Sequence, residues 1–453
     1  MQYLESLRYL RRRDDWERTA SAADAARWDL GRMRALLARL GYPQLGRGTV
    51  HVAGSKGKGS IATMIASVLT SAGVPTGLYS KPHLHRFVER IAIDREPVAE
   101  EEFGRLAGEL APHLEAQDGA GQGAVSTFEA LVALAFLAFR ERGVDWQVLE
   151  VGLGGRLDAT NVFEEKAVCV IAPIGLEHTA VLGDTVAQIA EEKAAIITPG
   201  TTVIMAPQRE PAADVVRRVC REREATLVEV AEACAMRAAG AGADGQEFVL
   251  KTPRATRTLR LPLLGAHQLA NAATAVLAVE ALALDIDDAA VRDGLAAVRL
   301  PGRIEVLKRR PYTIADGAHN RDSARALVRT LRDQLGLREA TFVVGCSSDK
   351  DVSALVQELA PVARMIMATR SRHPRALGAR ALVQTIGERG LLTELGLPFA
   401  VEEPVGAAID AAQAQGGAVV ATGSLFVAAE AREHVLGVAY DPPLTEPAET
   451  GAR

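Results

Sequence analysis

The sequence predicts an α/β protein of two domains: an N-terminal parallel sheet built around a phosphate-binding loop, and a C-terminal Rossmann-like α/β domain. Three observations carry that expectation. A β-branched run, Thr49–Ala53, feeds the glycine-rich turn Gly54-Ser-Lys-Gly-Lys-Gly-Ser60, and helix-forming residues Ile61–Ser71 follow. Short apolar strand patterns then alternate with helical ones. Beyond Leu300-Pro-Gly-Arg303, a turn-rich junction, a second such alternation begins. The boundaries expected are 1–300 and 301–440, with 441–453 (DPPLTEPAETGAR) a disordered tail.

Each element follows from local pattern. Leu4, Leu7 and Leu10 recur at helical spacing, as do the Ala/Leu positions from Ala22 to Leu40. Thr76–Ser80 reads as a strand, Phe103–Glu115 as a helix, and Asp118–Gly123 as a mobile loop. Ser126–Arg142 is a helix whose apolar stretch, Ala130–Phe139, is too short to span a bilayer and is therefore a buried segment. Trp146–Val151, Ala167–Ile171 and Thr202–Ala206 are buried strands, with a helix near Val186–Ile196. Residues 235–262 alternate and suggest a hairpin or small antiparallel sheet. Helices are expected near His267–Leu284 and Asp288–Val298. In the second domain the strands are Tyr312–Ala315, Thr341–Val344, Met365–Ala368 and Ala418–Ala421, with helices such as Ser323–Gln334 and Val352–Leu359 between them.

Composition bounds the function. A chain of 453 residues with 48% hydrophobic and 24% charged residues can bury a large core. A net charge of −5 argues against a general nucleic-acid surface. The N-terminus is charged throughout and is no secretory signal. Four cysteines, none at metal-ligand or redox spacing, fit a reducing cytoplasm.

The glycine-rich turn carries the first chemistry. Glycines let backbone N–H groups converge on one concavity, and the helix N-terminus adds the positive end of its dipole. Lys58 is placed to reach nucleotide phosphates, and Ser60 to offer a hydroxyl to their Mg²⁺. The competing reading is a glycine-rich turn with surface lysines, which the strand before and the helix after disfavour.

Glu150 closes a parallel strand, where a carboxylate faces the ligand crevice, and His178 follows the next strand into the same region. Alone, each is as readily a cap or a structural group. Lys193, between Glu192 and Ala194, reads by itself as a solvated helix lysine.

Taken in order, eleven segments resemble the motifs of the folylpolyglutamate synthase/dihydrofolate synthase family of the Mur ligase superfamily. They are HVAGSKGKGS (51–60), PHLHRFVERI (82–91), FEAL (128–131), EVGLGGRLDATNV (150–162), IGLEHTAVLGDT (174–185), EKAAII (192–197), LLGAHQLANA (263–272), LPGRIEV (300–306), DGAHN (316–320), DKD (349–351) and ATGSLF (421–426). The resemblance runs from about Tyr3 to Arg432 and implies a Mur ligase-like ATPase domain followed by a glutamate ligase domain.

It further implies ATP-dependent addition of L-glutamate to a folate carboxylate through an acyl phosphate, with dihydropteroate as a second acceptor. Gly54, Ser55, Lys56, Gly57, Lys58, Gly59 and Ser60 would cradle the phosphates, and Asn271, Arg303 and Asp316 would contact ATP. Ser60, Glu150, His178 and Lys193 would hold Mg²⁺, with Lys193 as a carbamate; Lys58, His178 and Lys193 are the catalytic candidates. Ser126, Asp158 and Ala159 match the pterin-contacting part of bifunctional members, and His319 belongs to the nucleotide and glutamate site. Family members tend to be monomeric, and a monovalent-cation requirement stays open. Neither a nucleic-acid nor a membrane partner is implied.

One departure matters. The family commonly has a serine metal ligand before the Pro-His of its second motif, and Lys81 stands there instead. Either water fills that place or the lysine replaces part of the metal's charge. The rival functions are a Mur-type ligase acting on a UDP-sugar peptide, a P-loop kinase or switch GTPase, and a catalytically impaired nucleotide-binding homologue.

Overall fold

The computed structural model describes residues 1–14, 29–121 and 123–442. Three sheets organise them. The first comprises β1 (Gly48–Ala53), β2 (Thr76–Tyr79), β3 (Ile91–Ile93), β4 (Glu96–Pro97), β5 (Trp146–Glu150), β6 (Val168–Ile171), β7 (Thr202–Met205) and β8 (Thr226–Glu229). Their order is β4-β3-β2-β5-β1-β6-β7-β8. All pairings are parallel except those of the β2–β3 and β3–β4 edge. Strands buried on both faces need near-continuous apolar sequence, and β6 and β7 have it, whereas β5 buries Gln147 and Glu150 as well.

Because β1 pairs with β5 on one side and β6 on the other, the loops after these three strands meet at the C-terminal edge of the sheet. Helices cover both faces. Thr127–Glu141, buried continuously from Glu129 to Phe139, packs one face together with Tyr3–Arg11, Leu30–Arg39 and Glu100–Asp118. Lys58–Ser71 and Ala266–Glu280 pack the other.

A three-stranded antiparallel sheet follows: β9 (Ala235–Gly242), β10 (Gly245–Lys251) and β11 (Thr256–Leu261), in the order β11-β10-β9. The third sheet holds β12 (Glu305–Arg309), β13 (Tyr312–Ala315), β14 (Ala340–Val344), β15 (Ala363–Ala368), β16 (Phe399–Val401) and β17 (Val419–Thr422), ordered β12-β13-β17-β14-β15-β16. Only β12 runs antiparallel there, to β13.

Some expectations need correcting. The helix expected over Phe103–Glu115 runs from Glu100 to Asp118, so the glycine-rich loop starts after Asp118 rather than with it. The Asp118 carboxylate is held by Arg13 Nη1 (2.9 Å) and Val125 N (2.8 Å). Residues 22–28 of the second N-terminal helix, and 443–453 of the expected tail, lie outside the described residues. Asp441 is no free tail residue: its carboxylate accepts from Tyr3 Oη (2.8 Å) and Phe87 N (2.8 Å).

The two α/β domains are joined by more than the covalent crossing at 300–304. His85 Nδ1 donates to Glu433 (3.1 Å) and its Nε2 accepts from Arg432, both on the last helix, Leu425–Leu436. Among the described residues no helix is long and apolar enough to cross a membrane, and all four cysteines are free.

Candidate active site

The phosphate loop is built backbone first. Gly54 leaves β1 with φ +150, and a Cβ there would lie 2.6 Å from that of Ala172. Ser55 N and Lys56 N both donate to Pro173 O (2.9 and 3.0 Å), and Ser55 Oγ to Gly175 O (3.0 Å). These bonds tie the loop to the segment after β6. Gly57, at φ +82, turns the chain into the helix beginning at Lys58, leaving that helix's first N–H groups facing the cavity. Lys58 Nζ folds back onto Gly54 O (2.8 Å).

Glu150 ends β5 beside the loop, with its Oε2 3.2 Å from where a Cβ on Gly59 would stand. It is buried and accepts Lys81 N (3.1 Å). Burial pushes its pKa up, against the charges of Lys58, Lys81 and Arg303.

Lys193 is 1% exposed, the opposite of a solvated helix lysine. Its Nζ donates to Gly54 O (3.0 Å) and Glu177 Oε1 (2.9 Å). Burial, with Lys58 close by, lowers its pKa to about 8. At Glu177 burial works the other way, but Lys58 and Lys193 outweigh it and hold the carboxylate at about 2. His178, in the left-handed region at φ 47, is exposed over much of its surface, and the partial desolvation of its ring, with Lys81 and Lys193 nearby, lowers it to about 4.

The second domain contributes the opposite wall. Asp316, buried after β13, accepts Ile304 N and Ala318 N (2.9 Å each) and so fixes the turn that presents Arg303. His319 Nδ1 donates to Gly317 O (2.9 Å), and burial beside Lys56 lowers its pKa to about 4. Asn271 reaches across from the helix Ala266–Glu280, its Oδ1 2.6 Å from where a Cβ on Gly57 would stand.

These groups line one cavity of about 1490 Å³ between the two domains: Ser55 through Ser60, Glu150, His178, Lys193, Asn271, Arg303, Asp316 and His319. Gly54 lies behind the loop. Ser126, Asp158 and Ala159 are not brought to this wall; each is buried elsewhere. Ser126 caps the helix Thr127–Glu141, with its Oγ 2.7 Å from Glu129 Oε2. Asp158 accepts Leu153 N (2.8 Å) and Thr160 Oγ1 (2.5 Å), closing the loop after β5 on itself.

Two family models match the chain, the Mur ligase middle domain over residues 52–279 and the Mur ligase glutamate ligase domain over 302–425. The dihydrofolate synthase/folylpolyglutamate synthase of Bacillus subtilis is 36% identical over 359 residues, spanning 78% of this chain and 83% of that protein. The chain belongs to the folylpolyglutamate/dihydrofolate synthase family of Mur ligases. Another family member, the folylpolyglutamate synthase of Lacticaseibacillus casei, is 32% identical over 447 residues, 96% of this chain and 99% of that one. The folylpolyglutamate synthase of Mycobacterium tuberculosis, solved with ADP and AMPPCP, superposes with a TM-score of 0.87 at 33% identity, covering 97% and 99% of the two chains. The fold expected from the resemblance, a Mur ligase ATPase domain followed by a second α/β domain, is the fold of this family.

Glu177 is the site residue that sequence reasoning passed over. It sits within the motif IGLEH, but a glutamate in a loop carries no pattern of its own. Only the buried position of Lys193 shows that it needs a partner.

Proposed function

We propose that this chain is an ATP-dependent ligase that forms an amide between L-glutamate and the carboxylate of a reduced folate, with dihydropteroate as a second acceptor. The observation that carries this reading is the convergence, in one interdomain cavity, of the phosphate loop and the Arg303–Asp316–His319 wall. Phosphoryl transfer demands charge neutralisation and in-line placement. The loop N–H groups and Lys58 supply the first, and Arg303 adds a cation from the facing domain. Asp316 positions Arg303 through the Ile304 backbone bond. Enclosure between the domains keeps water from an acyl phosphate, which would otherwise hydrolyse.

The oxygen donors fit a Mg²⁺ held largely by nucleotide. Glu150 offers one buried carboxylate and Ser60 a hydroxyl on the same wall. Mg²⁺ commonly takes one or two carboxylates together with substrate phosphates. When bound, it would offset phosphate charge. Among the described residues no three His, Cys, Asp or Glu side chains gather to hold a metal alone.

His178 would join that shell only with Lys193 converted from a cation. With its pKa at about 8, Lys193 has a neutral fraction that can take up CO₂, releasing a proton and leaving a carbamate. A reducing, cytoplasmic setting accords with the four free cysteines.

The test is ADP release by the purified protein with Mg²⁺ and ATP. Glutamate-dependent release with tetrahydrofolate supports the ligase, and release with dihydropteroate as well supports both activities. No glutamate-dependent release with either acceptor sinks the reading and favours an impaired homologue.

A further inference from the structure

We propose that Lys81 is a catalytic residue of this chain, its ammonium binding the γ-phosphoryl group that is transferred. The proposal rests on the reading of the cavity as an ATP site and names a cation that reading does not use.

Lys81 lines the cavity on the side of the phosphate loop that faces Glu150. Its backbone N donates to Glu150 Oε2 at 3.1 Å, so the residue is fixed against the carboxylate at the end of β5. The segment it heads is itself held down. Ser80 N donates to Arg90 O (3.0 Å), and Glu89 accepts Leu84 N, His85 N and Arg86 N. His85 in turn is clasped by Arg432 and Glu433 of the second domain. The Lys81 side chain therefore leaves from a braced backbone.

Its charge favours the ionised carboxylate of Glu150 and opposes protonation of His178 and Lys193, three groups that line the same cavity.

The charge balance there calls for an anion. The lining carries eight Lys or Arg side chains, Lys56, Lys58, Lys81 and Arg303 among them, against six Asp or Glu side chains, including Glu150, Glu177 and Asp316. Glu177 is engaged by Lys193, and Asp316 accepts two backbone N–H bonds that orient the Arg303 turn. Excess positive charge in a partly enclosed cavity is costly unless a phosphate answers it. The nucleotide's terminal phosphoryl group carries the most charge, and lysine's compact ammonium is a point-charge phosphate ligand. Lys58 leaves from the loop and Lys81 from the β2 side. Together they flank the phosphoryl group from two directions, and part of the neutralisation assigned to metal passes to a side chain that is always present.

Direct binding tests this, by calorimetric titration of AMPPCP and of ADP in EDTA and again in Mg²⁺. In EDTA, Lys81→Met should weaken AMPPCP by about tenfold or more, but ADP, which lacks the γ-phosphoryl group, by less than about threefold. Lys81→Arg should recover most of the AMPPCP affinity, and Lys81→Gln, with the same thermal midpoint as the parent, should behave as the Met variant does. AMPPCP affinity unchanged in Lys81→Met overturns the proposal. So does an equal loss for ADP, which would place the lysine's action on Glu150 or the loop. A parent protein that binds neither nucleotide even with Mg²⁺ fails earlier, and overturns the ATP-site reading along with the proposal.

Discussion

Lys193 and Glu177 form an ion pair whose lysine end is buried, Nζ to Oε1 2.9 Å, and the same ammonium donates to the carbonyl of Gly54. The pair thus ties the helix Val186–Ala194 to the back of the phosphate loop, so charge, loop shape and nucleotide binding are linked through one lysine.

Glu177, facing Lys58 as well as Lys193, has a pH signature. Glu177 is held at about 2 in the folded chain against an ordinary 4.5, so its contribution is present above pH 4.5 and is lost as pH falls towards 2. A shift of that size corresponds to about 3 kcal/mol. Glu177→Gln should lower stability by roughly that amount at neutral pH and flatten the acid limb of the unfolding curve. Denaturant melts of both proteins across that range check it; parallel acid limbs would remove the pair from the account.

Lys58→Ala should reduce glutamate-dependent ADP release by about a hundredfold or more, because the loss falls on charge stabilisation during transfer. Circular dichroism and thermal midpoint should stay close to the parent. Retention of most activity would show that the phosphate loop is not where transfer occurs.

Gly57→Ala probes the loop's shape. The position has φ +82, and the new Cβ would meet Asn271 Oδ1 at 2.6 Å. Backbone strain alone should cost about 1–2 kcal/mol. Displacing Asn271 should also weaken nucleotide binding, which a titration of ADP reads directly.

Ser126→Ala separates a cap from a substrate contact. Its hydroxyl lies 3.2 Å from Glu129 N at the start of the helix Thr127–Glu141, and losing such a cap costs about 1 kcal/mol. The expected result is that loss in an unfolding titration with an unchanged KM for dihydropteroate. A raised KM at equal stability would return Ser126 to the substrate site.

His178→Ala should raise the Mg²⁺ concentration needed for half-maximal ADP release, because it removes a ligand proposed for the metal's shell. An unchanged Mg²⁺ titration would leave it a structural residue of the left-handed turn that it occupies.

The fold was legible in sequence wherever its signals were local. Thr49–Ala53 followed by glycines announces a strand and a phosphate loop, and β6 beside it is apolar throughout, as a central parallel strand should be. The short edges were less legible. β12, with Glu305, Lys308 and Arg309, and β16, with three residues, have too little apolar pattern to signal a strand, and pairing with β13 and β15 makes them one. At the site, the loop and Glu150 could be read from their place at strand ends. Lys193 could be read only through the resemblance, because burial is a property of packing, and Glu177 had no signal until that burial was known. Asp158 and Ser126 show the converse, since polar residues within motifs can serve the backbone around them.

The bond between Tyr3 and Asp441 brings the first helix and the end of the second domain to one place. A peptide linker there would replace a hydrogen bond rather than bridge the molecule's width, so the linear order of the two domains is not what aligns their shared cavity. A circular permutant opened at the turn between Gly242 and Gly245, where the strand before it is exposed along nearly its whole length, would keep the loop, the lysines and the facing wall in register. The site belongs to the arrangement of the domains in space, and the chain can in principle be threaded through it from a different starting point.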